Sequence, residues 1–245
     1  MGKMQFDNGK KLILYGKHVV LAALNNPKRL VSKLLCTKDS VDELGKQKRI
    51  APQVVERKEI DKLVGGDAVH QGVALVCSRL PDYSLEEIID MAAEKENCHV
   101  LILDQVTDPQ NVGAIIRSAV AFNTLALIMQ DKNSPIESGA MAKAAAGMLE
   151  YLPVVRVTNL SRAIDKLKKS GFWTVGMDGY AKITIDKLQK MDKVAVIMGS
   201  EGKGMRRLVE ESCDISVKLP MSPLTESLNV ATAASIALYE INKQR

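Results

Sequence analysis

Cysteine and histidine are scarce in this chain of 245 residues, and neither is clustered. The four cysteines, Cys36, Cys77, Cys98 and Cys213, show no Cys-x-x-Cys spacing, and each lies in or beside an apolar run. That placement predicts buried thiols rather than metal ligands or disulfides, and with them a reducing, cytoplasmic setting. His18, His70 and His99 are far apart in sequence, so no metal site is expected. Aromatic residues make up only 4% of the chain, which leaves few platforms for stacking on bases. No apolar run is long enough to cross a bilayer, so no membrane partner is expected. The opening MGKMQFDNGKK has no apolar signal-peptide core, and Phe6 stands where a myristoylation signal needs Ser or Thr.

What is present fits an ordinary globular protein, with 46% apolar and 26% charged residues. The charge is unevenly placed. Residues 1–80 carry 15 Lys and Arg against 8 Asp and Glu, and the remainder carries 19 against 21. The excess positive charge therefore lies in the first third, where it would attract phosphate backbones regardless of sequence.

The pattern along the chain is α/β throughout. Leu12–Tyr15, Val31–Cys36, Gln53–Val55 and Gly72–Cys77 read as strands, with helices over Val19–Asn25, Asp39–Arg49 and Ile60–Val64. These make a small α/β domain over residues 10–78. Residues 79–96 form a linker, punctuated by Pro81, and a helix from Leu85 to Glu96. Residues 97–245 then alternate apolar strands with helices. The strands are Val100–Leu103, Leu125–Met129, Val154–Val157, Trp173–Met177, Val194–Met198 and Ile215–Leu219. The helices are Val112–Phe122, Ile136–Ala146, Leu160–Ser170, Met205–Ser212 and Val230–Asn242. Unbroken apolar runs bounded by polar loops predict strands buried on both faces of a mostly parallel sheet. Such sheets bind ligands at the carboxyl ends of their strands.

Three loops at such ends carry residues that packing does not explain. The first, Asp104 to Asn111, leads into a helix with Asp108 as N-cap and Pro109 at its first position. That helix is otherwise Val, Ala and Ile, so Arg117 in it is either a surface residue or a guanidinium aimed at a phosphate or hydroxyl. The second, Gly199-Ser200-Glu201-Gly202-Lys203-Gly204, follows a buried strand. It meets neither the phosphate-loop pattern nor the dinucleotide pattern, because Met205 and Arg206 stand where those need other residues. The third runs from Leu219 to Asn229, where Ser227 or Asn229 could cap the last helix.

In this order the three loops resemble motifs one, two and three of the SpoU class of SPOUT RNA methyltransferases. Leu12–Cys77, with Tyr15-Gly16-Lys17-His18 and His70-Gln71-Gly72, resembles the L30e-like substrate-binding domain of the bacterial 23S ribosomal RNA guanosine 2′-O-methyltransferases. The resemblance implies a C-terminal SPOUT domain with a deep trefoil knot, a homodimer formed through the knots, and S-adenosylmethionine (SAM) as methyl donor. It implies SAM contacts at Gly199, Leu219, Met221, Ser227 and Leu228, and catalytic positions at Asn111, Arg117, Glu201, Ser227 and Asn229, with each site drawing on both protomers. One departure stands out. Relatives carry Ala-Gly or Ser-Gly after the Pro-Met of motif three, whereas this chain has Ser222-Pro223, which restricts φ in the SAM loop.

The expected reaction is in-line attack of a ribose 2′-oxygen on the SAM methyl, on 23S ribosomal RNA or its assembly intermediates. The same chemistry on tRNA and a non-catalytic RNA-binding protein are the alternatives. Tyr15, Lys17, His18, Lys28, Arg29 and Arg79 are the expected RNA contacts.

Overall fold

The structure, a computed structural model, describes residues 11–44 and 49–243. The expectations for the N-terminal stretch, the residue-10 boundary and positions 45–48 of the helix expected over Asp39–Arg49 lie outside those residues. The chain divides into two compact units: residues up to Pro81 together with Ile136–Glu150, and Asp82–Pro135 together with residues from Tyr151 on.

The first unit is built on a four-stranded sheet. Its elements run β1 (Lys11–Tyr15), α1 (Lys17–Asn25), β2 (Val31–Cys36), α2 (Val41–Leu44), β3 (Pro52–Val54), α3 (Arg57–Val64) and β4 (Val73–Ser78). The order across the sheet is β1-β4-β2-β3. β4 is antiparallel to both neighbours, and β2 and β3 are parallel. Where one helix was expected over Asp39–Arg49, only a 3-10 turn (Lys38–Ser40) and the single turn of α2 form within the described residues.

The first unit also takes in a segment from much later in the chain. Residues 136–150, read from sequence as one helix ending at Ala146, form a shorter helix (Gly139–Ala144) and a 3-10 turn (Met148–Glu150) that pack with β1 and α1. Met141, Ala142, Ala145 and Leu149 are buried there. The anchor is ionic. Arg29, fully buried, lies 2.5 Å from Glu150 Oε1 and 2.6 Å from Glu137 Oε1, and donates to the Ser78 carbonyl at 2.8 Å. Asn26 adds a hydrogen bond to Glu150 Oε2 at 2.8 Å.

The second unit holds α4 (Leu85–Ala93), β5 (Cys98–Leu103), α5 (Pro109–Ala121) and β6 (Leu127–Gln130). With the helix Gly139–Ala144 counted as α6, it continues through β7 (Val154–Val157), α7 (Leu160–Lys169), β8 (Trp173–Met177), β9 (Ile183–Thr184), β10 (Lys193–Met198), α8 (Arg207–Glu210), β11 (Ile215–Lys218) and α9 (Val230–Lys243). The sheet order is β7-β6-β5-β10-β8-β11-β9, with every ladder parallel. β5 and β10 are almost wholly buried, as their unbroken apolar sequences require. Ile102, Ile128, Ile164 and Ile197 lie in one core cluster between sheet and helices. From β5 the chain steps outward to β6 and β7, then returns on the far side of β10. The carboxyl ends of β5 and β10 therefore sit at the point where the strand order reverses, the place where open parallel sheets leave a crevice. Among the described residues no helix is long and apolar enough to cross a membrane.

Candidate active site

The three polar loops, separated by as many as 118 residues, meet through one side chain. Asn229 Nδ2 donates to Asn111 Oδ1 at 3.0 Å and to Glu201 Oε1 at 2.7 Å. The same glutamate oxygen accepts from the backbone N–H of Val230 at 3.0 Å. Asn229 Oδ1 accepts from Ala231 N at 2.9 Å and from Thr232 N at 3.3 Å. The helix N–H groups thus fix which end of the amide is oxygen and leave its NH2 pointing at the other two loops. The capping role and the functional role coincide in one asparagine. Asn111 is positioned by the start of α5, where Asp108 accepts from Gln110 N at 3.0 Å and Pro109 takes the first helical position.

Glu201 is carried on a tight loop. Ser200 and Gly204 exchange backbone hydrogen bonds of 3.0 Å each, and Gly202 and Gly204 adopt positive φ. Gly199, just before the loop, admits no side chain: a Cβ there would lie 2.1 Å from the Gly204 carbonyl carbon and 2.3 Å from Met205 N.

One contributor escaped the sequence reading. Asp104, fully buried at the end of β5, accepts from Arg206 N and Arg206 Nε, both at 2.8 Å, and Arg206 Nη2 lies 2.8 Å away as well. A buried carboxylate needs such pairing. Its effect is to anchor the Glu201 loop to the strand that leads to Asn111. The available signal was an aspartate closing the apolar run Val100–Leu103.

Arg117 is not drawn into this group. It is exposed on α5 and has no hydrogen bond or ion pair among the described residues. The neighbouring Ser118 faces inward and bonds Ser235 of α9 at 2.6 Å. Of the expected cofactor contacts, Gly199 and Leu219 are buried, Leu228 is half-buried, and Met221 and Ser227 are exposed. Between Pro220 and Leu228 the internal hydrogen bonds among the described residues are Leu224 N to Ser222 Oγ, 3.3 Å, and Thr225 N to Ser222 O, 3.1 Å. Ser222-Pro223 thus forms a turn, with Leu224 almost wholly exposed beyond it.

The expected RNA contacts divide. His18 and Lys28 are exposed; Tyr15, Lys17 and Arg79 are half-buried, and Lys17 pairs with Glu43. Arg29 is a correction. Its guanidinium is enclosed by Glu137, Glu150 and the Ser78 carbonyl and has no surface to offer RNA. Burial opposes its charge, but the hydrogen bond it donates to Glu150 and the charges of Glu137 and Glu150 outweigh that, and its pKa is raised. Among the described residues no group of three or more His, Cys, Asp or Glu side chains could hold a metal ion.

Comparison with known proteins gives this geometry a setting. Residues 99–239 match the SpoU rRNA Methylase family, and residues 13–83 match the family of RNA 2′-O ribose methyltransferase substrate-binding domains. YacO of Bacillus subtilis (strain 168), whose name assigns it to the TrmH family of tRNA/rRNA methyltransferases, is 36% identical over 238 residues, 94% of each chain. Among solved structures, the SpoU methyltransferase AviRb of Streptomyces viridochromogenes, in complex with AdoMet, superposes with a TM-score of 0.82 at 23% identity, covering 97% of this chain and 91% of that one. The AdoMet-bound rRNA methyltransferase of Sinorhizobium meliloti gives a TM-score of 0.80 at 20% identity, covering 97% and 88%.

Proposed function

The chain belongs to the SpoU family of SAM-dependent RNA methyltransferases, and from that premise we propose that it methylates the 2′-hydroxyl of a guanosine ribose in 23S ribosomal RNA, free or in a ribosome assembly intermediate, in the cytoplasm. The observation that carries the catalytic reading is the junction of Asn111, Glu201 and Asn229 at the carboxyl ends of β5 and β10. The choice of ribosomal RNA rests on the substrate-binding domain over residues 13–83 and the basic surplus of residues 1–80.

The residues around that junction suit SAM. The 220–228 loop leaves most of its backbone N–H groups without internal partners, and Met221 and Leu224 present apolar surface to an adenosine. Gly199 and Leu219, buried at the loop bases, set the floor. Ser227 lies two residues before the locked Asn229 amide and is the further polar group at the reacting end. SAM supplies an electrophilic methyl on a sulfonium; the protein's task is alignment. Asn229, held on two sides, positions the ribose. A guanidinium is a donor and not a base, so Arg117 acts on the hydroxyl by stabilising developing negative charge on oxygen beside a substrate phosphate, rather than by removing the proton. Because Arg117 stands bare in its own chain, it completes the site of a second copy in a homodimer formed through the knotted domain.

The test is transfer of labelled methyl from SAM to unmodified 23S ribosomal RNA and to tRNA, with the nucleotide mapped. One labelled guanosine ribose in 23S RNA is the expected result. Label on tRNA keeps the chemistry and replaces the substrate. SAM binding without label on either RNA favours a non-catalytic RNA-binding protein.

A further inference from the structure

The first unit contains a half-buried cation outside the three motif loops. Lys143, on α6, belongs by sequence to the methylase match and by packing to the RNA-binding unit. Its Nζ donates to Gln71 Oε1 at 3.1 Å, and the same oxygen accepts from the backbone N–H of Lys17 at 3.2 Å. Gln71 is held for this with a positive φ of 55°, a conformation that costs a non-glycine residue free energy. Gly16 makes the space: a Cβ there would lie 2.5 Å from Lys143 Nζ, and the residue's φ of 89° suits glycine. The turn Tyr15–His18, residue Gln71 and Lys143 are thereby joined at one place.

Charge balance makes the arrangement informative. Lys17, in the same cluster, is neutralised by Glu43. Lys143 has no carboxylate partner among the described residues; its partner is a neutral amide. Burial lowers its pKa, the mark of a partly desolvated ammonium lacking a counter-charge. A cation in that state is stabilised by an anion arriving from outside, and in a unit whose sequence carries a surplus of positive charge the fitting anion is a phosphate of the nucleic acid backbone.

We propose that Lys143, held over Gly16 by Gln71, is a phosphate-binding residue of the RNA-binding unit, contributed by the methylase segment of the sequence. The assignment rests on the RNA-methyltransferase reading and extends it to a residue outside the three motifs. Lys is a point charge for phosphate rather than a reader of bases, so its contribution is insensitive to sequence and sensitive to salt.

The experiment is a salt titration of binding between the full chain and a fluorescein-labelled, unmodified 23S ribosomal RNA transcript, with SAM affinity measured in parallel. Lys143→Met is expected to weaken RNA binding about three- to tenfold near 0.1 M salt and to reduce the slope of log K against log salt by about one. Lys143→Arg should keep the slope, and Gln71→Leu, which frees the ammonium, should weaken binding with the slope retained. SAM affinity should stay the same in all three. RNA affinity and slope unchanged in Lys143→Met, with wild-type protein methylating the transcript, would overturn this assignment alone. Wild-type protein that binds RNA with a Lys143-dependent slope but methylates no RNA would overturn the methyltransferase reading and leave the assignment standing. If Lys143→Met does not fold, an unchanged RNA affinity in Gln71→Leu sinks the proposal in its place.

Discussion

Two arginines divide this molecule between structure and chemistry. Arg29, in the first unit, is fully buried and satisfied within its own chain by Glu137, Glu150 and the Ser78 carbonyl. Arg117, in the second, is exposed and finds no partner among the described residues. In the sequence both look alike, a single guanidinium in a helical or turn context. The difference shows that a buried, fully paired arginine holds a fold together, whereas an exposed, unpaired one is available for a partner or a substrate.

The largest effect is expected on removing a partner of the satisfied arginine. Glu150→Ala leaves the Arg29 charge in the interior without its 2.5 Å partner, and should cost the first unit about 3–5 kcal/mol. Thermal or denaturant unfolding would read this, and a midpoint close to wild type would mean that the ion pair is not what anchors residues 136–150. Arg117→Ala should do the reverse, leaving stability within about 0.5 kcal/mol and lowering methyl transfer on the order of a hundredfold or more. Arg117→Lys should recover little, since a point charge cannot reproduce the guanidinium fork.

A smaller effect is expected at Gly199. Gly199→Ala forces a Cβ against the Gly204 backbone, so the Glu201 loop must shift, at a cost of about 1–3 kcal/mol. SAM affinity should fall at least tenfold on a calorimetric titration. The smallest effect concerns the thiols. Burial pushes the Cys77 and Cys213 thiols up to about 12. Neither should react with an alkylating agent at pH 8 until the protein unfolds, because the thiolate is the nucleophile. Cys77 is fully buried and Cys213, expected from the sequence to be buried, only partly so; rapid labelling of native Cys77 would contradict that burial.

Much of this was legible in the sequence. Unbroken apolar runs announced the strands of the parallel sheet because a strand covered on both faces has no polar side to alternate. Asp108 and Pro109 announced the start of α5 because a helix N-terminus needs an acceptor and tolerates a missing N–H. What stayed hidden depends on long-range pairing. Nothing near Arg29 in sequence reveals that Glu137 and Glu150, more than a hundred residues away, fold back onto it. The same holds for Asp104, whose partner Arg206 lies 102 positions on. Ile136–Ala146 read as a plain helix of the second domain, and only the contacts of residues 136–150 assign them to the first unit. Deleting residues 1–80 to isolate RNA binding would therefore bare Met141, Ala145 and Leu149 as well.

In the proposed homodimer, a working site joins the Asn111–Glu201–Asn229 junction of one protomer to Arg117 of another. Mixing Arg117→Ala protein with Asn229→Ala protein under subunit exchange tests it most directly. Each variant alone should be nearly inactive. A two-fold dimer with shared sites gives hybrid molecules carrying one intact site, so the mixture should recover about a quarter of wild-type methyl transfer. No recovery after verified exchange would place Arg117 and the junction in the same protomer's site and rule out a shared site.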